Sequence, residues 1–234
     1  ASHKAGIIKK AIPVVTMEQE QAVSDILREE AKQKMSPFYD VSEDNLKFEE
    51  KAAKYIDFLN ANAYDKERDV RTNIAGEFQK SNLAAALQTA ELICGRLDED
   101  KIYEALSQIR ISGRMEEIAP GIIVDVSHNI QGMQGFVQTV EANYHGMKKR
   151  ILFAASHQNE EEYMKNILKT IPEIEAFYTV GIHKRRIDEA EFQDAFRKMI
   201  DRNQETTVCF VVGSFYLAGM AKEFINQEEE NVRL

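Results

Sequence analysis

Hydrophobic residues in the second half of the chain fall into four short continuous runs, separated by amphipathic segments. The runs are GIIVDV, RILFAAS, AFYTVGI and TTVCFVVGS, and such runs are typical of strands buried on both faces. Segments with apolar residues at helical spacing lie between and after them, at about 130–145, 159–170, 187–202 and 215–227. This alternation predicts an α/β fold, with a doubly wound, mainly parallel, Rossmann-like sheet in the C-terminal half.

The first half of the chain follows a less regular pattern. The β-rich run IPVVT at 12–16 predicts a strand, and the segment at 18–34 predicts a helix. Pro37 ends this unit, and the residues PFYDV predict a second strand. The apolar residues of the helix recur at helical spacing and are Ala22, Val23, Ile26, Leu27 and Ala31.

Two further stretches precede the regular half. Residues 42–75 are compatible with either a polar hairpin or an irregular helix, because no periodicity decides between them. Residues 76–97 predict a helix rich in Ala and Leu, and DEDKIYEALSQI predicts a short capped helix. A linker at about 108–113 then divides the chain into two predicted domains, residues 1–110 and 111–234.

The composition is that of a globular protein with a substantial core. Hydrophobic residues make up 44% and charged residues 29% of the 234 positions, and no apolar run approaches the length of a membrane span. The 30 basic and 39 acidic residues give a net charge of -9, which disfavours nucleic acid as the main partner. Cys94 and Cys209 each lie in an apolar stretch, which predicts two buried free thiols in a cytoplasmic protein.

Polar residues follow each of the four predicted strands at its carboxyl end, where open α/β sheets bind their ligands. They are Asp125, His128 and Asn129 after the first strand, Ser156 and His157 after the second, His183 after the third and Ser214 after the fourth. Asn129 and Ser214 are adequately explained as helix caps or turn residues. Asp125 and His128, with Arg114 in the linker, are stronger candidates for a ligand site, because the guanidinium of Arg114 could reach phosphates from another domain.

Three polar residues before the linker are more ambiguous. Gln79 and Asn82 lie three residues apart on one face of the helix predicted at 76–97. Their amides would either contact the edge of a base or cap the helix. Lys4 precedes a glycine turn and an apolar run, where a lysine is usually only a charge at the end of a strand. The pattern alone leaves these alternatives open.

Four separated motifs resemble those of one known family in content and in order. KAGIIKKAIPVVT, GEFQKSNLAAAL, GRMEE with IIVDVSHN, and VVGSFYLAG are similar to motifs of folylpolyglutamate synthase and dihydrofolate synthase, in the Mur-ligase superfamily. The resemblance covers essentially the whole chain. It implies that residues 1–110 are the C-terminal part of the central ATP-binding α/β domain, and that residues 111–234 are the C-terminal domain.

The resemblance also implies an activity. The family joins L-glutamate to a folate or dihydropteroate carboxylate. ATP phosphorylates the carboxylate, and the glutamate amine then attacks the acyl phosphate. ATP and Mg²⁺ are the implied cofactors, and Lys4 matches the lysine that is carbamylated in these ligases to give an oxygen ligand for Mg²⁺.

The other site residues are assigned by the same resemblance. Asn82, with Gln79 beside it, matches the amide that contacts adenine, and Asp125 matches the carboxylate that binds ribose. Arg114 matches the interdomain arginine that steadies the phosphates during transfer. His128 is expected next to the nucleotide and the domain cleft, so that it joins Lys4 and Arg114 as a residue expected to take part in catalysis.

The fourth motif is assigned to the second substrate. Within VVGSFYLAG, Ser214 matches the region that receives the incoming glutamate, and Tyr216 is expected to pack behind it. These two residues complete the substrate-binding set that the resemblance implies.

The chain departs from the family pattern in several places. DVSHN replaces the commoner DGAHN, which puts Val126 and Ser127 where the family has smaller residues, and His3 replaces a glutamate before the lysine. SHQNE at 156–160 stands in place of a Lys-Asp turn and is assigned no role. No G-x-x-x-x-G-K-[ST] motif occurs in the 234 residues, so the chain is expected to lack its own triphosphate cradle and to be an inactive fragment or trimmed form.

Two other functions remain open at this point. One is a truncated module that binds nucleotide or glutamate and catalyses nothing. The other is a sister Mur-type ligase that joins amino acids to another carboxylate, although GRMEE and VVGSFYLAG favour the folate branch. A cut sheet in residues 1–110 would expose apolar strand edges, so pairing with a missing N-terminal half or with another copy is expected.

Overall fold

The chain forms two compact units, whose main parts are the residues up to Ile109 and those from Arg110 onward. The computed structural model describes residues 2–17, 20–41, 46–52, 55–61, 70–72, 78–95, 97–156, 158–184, 186–200 and 206–233. No helix in these ranges is long and apolar enough to span a membrane.

The described part of the first unit contains a strand–helix–strand element, a second small sheet and three further helices. Its elements are α1 (Ser2–Ala5), β1 (Val14–Met17), α2 (Gln21–Gln33), β2 (Phe38–Val41), β3 (Leu46–Ala52), β4 (Tyr55–Ala61), β5 (Val70–Thr72), α3 (Phe78–Cys94) and α4 (Glu99–Gln108). β1 and β2 pair in parallel, and α2 is the crossover connection that a parallel pair needs. The second sheet has the order β3-β4-β5, and β4 and β5 are antiparallel.

The structure decides some of the ambiguous predictions in this unit. The described parts of residues 42–75 are strands, which favours the hairpin alternative over the irregular helix. α4 is capped as predicted, because the Asp98 carboxylate accepts a hydrogen bond from the Lys101 N–H at 3.3 Å. Lys4 was expected before a strand, but it lies in α1, and β1 begins only at Val14.

Several large apolar side chains of the first unit are exposed. They are Ile7, Ile12, Ile26, Met35 and Ile93. Exposed apolar residues of this size favour association with another surface. The expected pairing with a missing half or another copy nevertheless stays a prediction.

The second unit is built on a five-stranded sheet. Its elements are β6 (Glu116–Ala119), β7 (Ile122–Asp125), α5 (Ile130–Asn143), β8 (Lys148–Phe153), a 3-10 turn (Gln158–Glu160), α6 (Glu161–Leu168), β9 (Ile174–Thr179), β10 (Ile182–His183), β11 (Arg186–Ile187), α7 (Glu189–Ile200), β12 (Thr207–Val212) and α8 (Phe215–Arg233). The strand order is β6-β7-β12-β8-β9. The four predicted strands are parallel, and β6 adds an antiparallel edge that the sequence pattern does not indicate.

Both faces of this sheet are covered, which confirms the doubly wound α/β prediction. Alternate residues of one strand enter opposite cores: Ile122 and Val124 of β7 belong to one cluster, and Ile123 belongs to the other. The first cluster includes side chains of α7 and α8, and the second includes side chains of α5 and α6. Burial on both faces explains why the strands are continuous apolar runs.

The two cysteines have different environments, so the prediction of two buried thiols is wrong for one of them. Cys209 lies in β12 and is buried, whereas Cys94 is exposed. Cys94 is the last residue of α3. An apolar neighbourhood in the sequence does not distinguish these two cases.

We expect only Cys94 to react rapidly with a disulfide reagent in the native protein. Burial raises the pKa of the Cys209 thiol to about 11, and only the thiolate reacts. At pH 8 the thiolate of such a group is roughly one part in a thousand. Measured thiol release should show one fast group per chain, which Cys94→Ser removes, and a second group only after denaturation. A fast phase that survives in Cys94→Ser would contradict the burial of Cys209.

Candidate functional site

The carboxyl ends of three neighbouring strands lie side by side in the second unit. Asp125, the last residue of β7, is paired with Val212 of β12, and Val212 is paired with Phe153 of β8. The loops that follow these strands therefore begin at the same edge of the sheet, which is where parallel α/β folds bind ligands.

The loop after β12 is a tight turn that requires glycine. Gly213 has a φ of +109°, and a Cβ on it would lie 2.5 Å from the carbonyl oxygen of Ala154 and 2.7 Å from the Phe153 ring. Ser156 Oγ donates a hydrogen bond to the Gly213 carbonyl at 3.4 Å. The turn thereby connects the exit of β12 to the exit of β8.

Ser214 and Tyr216 follow this glycine at the start of α8. Ser214 is buried, and its Oγ accepts a hydrogen bond from the Tyr216 N–H at 3.1 Å, as a helix-capping serine does. The Tyr216 side chain is 43% exposed. The described link between the two residues is therefore made by the Tyr216 backbone.

Asp125 is a buried carboxylate held by backbone amides. Only 1% of the residue is exposed, and its Oδ2 accepts the Met115 N–H at 3.0 Å while its Oδ1 accepts the Ser127 N–H at 2.8 Å. Burial raises the pKa of Asp125, and the hydrogen bonds from Ser127 and Met115 and the charge of Arg114 act in the opposite direction. Asp125 thus ties the end of β7 to the chain segment before β6.

Arg114 lies in a turn formed by Ser112–Glu116, the Arg114 turn. The residues on either side of it have left-handed backbones, with φ of +72° at Gly113 and +44° at Met115. The Val126 N–H donates to the Gly113 carbonyl at 2.8 Å. Arg114 is half-buried, and no ion pair or side-chain hydrogen bond within the described ranges engages its guanidinium.

An ion pair closes the Arg114 turn from the outside. Lys222 of α8 places its Nζ 2.5 Å from Oε2 of Glu116 and 2.6 Å from Oγ of Ser112. The same Glu116 oxygen accepts the Gly113 N–H at 2.5 Å. Burial acts to raise the pKa of Glu116, but the hydrogen bonds from Lys222 and Gly113 outweigh it, so the pKa is lowered overall.

The loop after β7 presents His128 beside α8. His128 Nδ1 lies 2.9 Å from the Val126 carbonyl, and since a carbonyl can only accept, Nδ1 is the donor of this hydrogen bond. The His128 and Phe215 ring centroids are 5.6 Å apart, and Phe215 is 59% exposed. Asn129 caps α5, as predicted, by accepting the Gly132 N–H at 2.7 Å.

Gln79 and Asn82 of the first unit lie next to each other on α3. Asn82 Nδ2 donates to Gln79 Oε1 at 3.0 Å, so the two amides interact directly. α3 begins at Phe78, which places both residues inside the helix rather than at its cap position. Gln79 is buried and Asn82 is exposed, whereas Lys4 is an exposed residue of α1.

The remaining two candidates follow β8 and β9 in the sequence. His183 is exposed on the β10–β11 hairpin, beyond the edge strand β9. His157 is outside the described residues. Within the described residues no group of three or more His, Cys, Asp or Glu side chains could hold a metal ion.

Comparisons with known proteins agree with the four motifs. The chain is 25% identical over 178 residues to the dihydrofolate synthase/folylpolyglutamate synthase of Bacillus subtilis, covering 73% of this chain and 41% of that protein. It is 27% identical over 151 residues to the folylpolyglutamate synthase of Lacticaseibacillus casei, covering 60% of this chain and 35% of that protein. No family model matches the chain.

The fold agrees with the same relatives. A structure of the folylpolyglutamate synthase (FPGS) complex with AMPPCP and folate has a TM-score of 0.75 and 21% identity, and covers 96% of this chain and 55% of that protein. The resemblance to folylpolyglutamate and dihydrofolate synthases and the α/β fold class are thus confirmed. The chain spans about 40% of the length of the curated relatives it matches.

Proposed function

We propose that this chain, which is similar to folylpolyglutamate and dihydrofolate synthases, carries part of an ATP-dependent ligase that adds L-glutamate to a folate or dihydropteroate carboxylate. The observation that carries the proposal is the Arg114 turn. A half-buried arginine lies between two left-handed residues, in a turn whose Met115 N–H donates to the buried Asp125 carboxylate at the carboxyl end of β7. Strained backbone of this kind persists where the surrounding structure holds it, often at functional sites.

Arg114 is proposed to bind the transferring phosphate. In the first step of the reaction, a carboxylate oxygen of the folate attacks the γ-phosphorus of ATP, the bond from that phosphorus to the bridging oxygen breaks, and ADP leaves. A guanidinium with no described partner can donate two hydrogen bonds to phosphate oxygens and offset their charge. The hydrogen bonds and the ion pair that hold the turn would keep the guanidinium oriented before the phosphate binds.

The glutamate amine reacts in the second step. Its nitrogen attacks the acyl carbon, the carbon–oxygen bond to phosphate breaks, and an amide and inorganic phosphate are formed with loss of a proton from nitrogen. Ser214 and the exposed ring of Tyr216, at the start of α8, are proposed to receive the glutamate. The partial positive charge at the N-terminus of α8 also favours a carboxylate.

Three residues are proposed to bind the nucleoside. Asn82, held by Gln79, offers its remaining amide atoms to the adenine edge. Asp125 is proposed to accept a ribose hydroxyl, for which each carboxylate oxygen retains a lone pair, although its 1% exposure means that its described role is to hold the turn. His128, whose ring is held by the Val126 carbonyl, is proposed to contact the nucleotide.

Mg²⁺ is proposed only to bind together with ATP. When bound, Mg²⁺ would offset the charge on the phosphates. Lys4 is exposed, which leaves its amine accessible for carbamylation, and a carbamate oxygen would supply one ligand. The described residues provide no other cluster of metal ligands, so they fit a complete magnesium site poorly and no step is assigned to it here.

A binding module without turnover is the second candidate function. It is favoured by one observation, the lack of a G-x-x-x-x-G-K-[ST] loop in the 234 residues, because that loop cradles the triphosphate. A sister ligase for another carboxylate is the third candidate, and the similarity to two folate enzymes argues for the folate branch instead.

We expect the 234-residue chain to bind ATP but to show no glutamate-dependent ATP turnover with folate. Arg114→Ala should weaken ATP binding about tenfold, since one charge-assisted contact is lost, and should leave adenosine binding unchanged. Isothermal titration with each ligand measures this, and a phosphate-release assay measures turnover. Arg197→Ala is the matched control, because Arg197 is an exposed arginine on α7 that pairs with Glu228.

The outcomes separate the candidate functions. Failure of the wild-type chain to bind ATP would contradict the proposed function. Turnover by the chain alone would contradict the part of the proposal that depends on the missing loop. Equal losses in the Arg114 and Arg197 variants would show that only net charge matters and would remove the phosphate role of Arg114.

A further inference from the structure

The Arg114 turn contains a carboxylate that could compete for its own arginine. Glu116 is two residues from Arg114 and is an acidic side chain within the same turn. An ion pair between them would leave the guanidinium neutralised and turned away from any incoming anion. The structure holds Glu116 elsewhere, because its Oε2 accepts from both Lys222 Nζ and the Gly113 N–H.

Lys222 is well placed to control this carboxylate. It comes from α8, 106 residues further along the chain, and it binds Glu116 and Ser112 at the same time. The lysine and glutamate side chains are 28% and 33% exposed, so the pair is partly shielded from water and from salt. With Glu116 neutralised by Lys222, the positive charge of Arg114 is left for a ligand.

Backbone strain makes this restraint necessary. The strain lies at Met115, whose φ of +44° is left-handed, whereas Gly113 adopts its φ of +72° without strain because it has no Cβ. A turn of this shape relaxes if its ties are removed. Two hydrogen bonds hold the turn through Asp125 and Val126, at the end of β7 and just after it. Two others hold it through Glu116, which accepts from the Gly113 N–H and from Lys222.

We propose that Lys222 and Glu116 are positioning residues: Lys222 holds Glu116, so that Glu116 does not pair with Arg114 and the guanidinium is left available to phosphate. This inference rests on the proposed function, since it requires an anionic ligand for Arg114. Lys222 itself is not proposed to touch the substrate. Its effect on binding must therefore pass through Arg114 and disappear when Arg114 is absent.

The test compares ATP and adenosine binding in a set of variants of the 234-residue chain. Lys222→Met should weaken ATP binding about tenfold, because Glu116 is released and competes with phosphate. Adenosine binding should not change. Adding Glu116→Gln to Lys222→Met should restore part of the ATP affinity, since the competing charge is removed. In an Arg114→Ala background, Lys222→Met should have no further effect.

A second measurement examines the turn without any ligand. Amide hydrogen exchange in the free chain should be faster at Gly113 in Lys222→Met than in the wild type, because its acceptor Glu116 is no longer held. Lys198→Met is the matched control, since Lys198 forms an exposed ion pair with Asp194 in the same unit. It should alter neither exchange at Gly113 nor ATP binding.

Each outcome has a defined meaning. Loss of ATP affinity that vanishes in the Arg114→Ala background, together with faster exchange at Gly113, supports the inference. Unchanged ATP affinity in Lys222→Met, with a tenfold loss in Arg114→Ala, overturns the inference and leaves the proposed function standing. If the wild-type chain binds no ATP, the proposed function fails, and the inference falls with it because Arg114 has no phosphate to receive.

Discussion

Replacing Gly213 by alanine is expected to lower the free energy of unfolding of the second unit by roughly 2–5 kcal/mol. The backbone φ of +109° would strain an L residue by about 1–2 kcal/mol. The added Cβ would lie 2.5 Å from the Ala154 carbonyl oxygen and 2.7 Å from the Phe153 ring. Because Phe153 is fully buried and the carbonyl is backbone, relief requires repacking, which adds about 1–3 kcal/mol.

Two other glycines separate the contributions of strain and packing. Gly146 has a φ of +75° and no atom within 4 Å of an added Cβ, so Gly146→Ala should lose only the strain of about 1–2 kcal/mol. Gly219 lies inside α8 with open space around it, and Gly219→Ala should gain about 0.5–1 kcal/mol from reduced backbone entropy. Urea denaturation of the three variants and the wild type measures the differences.

The ordering of the three variants is the critical result. Stability should rise in Gly219→Ala, fall moderately in Gly146→Ala and fall most in Gly213→Ala. Equal losses at Gly146 and Gly213 would mean that the β12 exit has room for a side chain. The close approach of β12 to the β8 exit would then not be what holds Ser214 at the start of α8.

The fold of the second unit was predictable because its signals are local. Each strand buried on both faces requires a run of apolar residues, and each covering helix requires apolar residues at helical spacing. Strand β6 was not predicted, since a single antiparallel edge strand with the sequence EEIA has one exposed face and no apolar run. The exposure of Cys94 was missed because a helix end is not visible in local hydropathy.

The residues of the candidate site also differ in how far the sequence alone could predict them. Asn129 and Ser214 were correctly explained as caps, because capping depends on residue type at the start of a helix. Asp125 and His128 were proposed from their place at a strand end, Arg114 from its place in the linker, and all three from the resemblance. The contact between Asp125 and the Met115 N–H depends on a left-handed turn, which a methionine in the sequence does not indicate.

Long-range contacts account for the residues that were missed. Lys222 has no motif around it, and its contact with Glu116 spans 106 residues. Phe215 lies within the fourth motif, but its approach to His128 depends on β7 and β12 being neighbours. Strand order is set by the packing of the whole unit, so no local pattern could bring these pairs together.

Replacing Asp125 by asparagine is expected to destabilise the second unit by about 1–3 kcal/mol, although the two side chains are nearly the same shape. Both carboxylate oxygens of Asp125 accept buried backbone N–H groups, from Met115 and Ser127. Asparagine has one oxygen and one NH₂ group, which cannot accept. Either orientation therefore leaves one N–H facing another donor, and this holds whether or not Asp125 is ionised in the native protein.

The comparison needs two further variants. Asp125→Ala leaves both N–H groups without an acceptor and should lose about twice as much stability as Asp125→Asn. Asp194→Asn is the matched control, because Asp194 is 63% exposed and only pairs with Lys198. It should change the free energy of unfolding by less than about 0.5 kcal/mol. Urea denaturation at fixed pH gives all three values.

The pH dependence provides an independent check on the same carboxyl group. Burial raises the native pKa of Asp125 above its usual value of 3.8, so the native state binds this proton more tightly than the unfolded state does. The resulting stability is complete below pH 3.8 and is lost as the pH rises through the native pKa. The stability of the wild type relative to Asp125→Asn should therefore decrease over that range.

The results also separate the two roles of Asp125. If it holds the Arg114 turn, Asp125→Asn must lower the stability of the free chain and speed amide exchange at Met115, because that N–H loses its acceptor. If it serves only as a ribose acceptor, stability and exchange are unchanged and adenosine binding weakens. A loss of adenosine affinity without any loss of stability would contradict the holding role, and with it the argument that the strained turn is built to present Arg114.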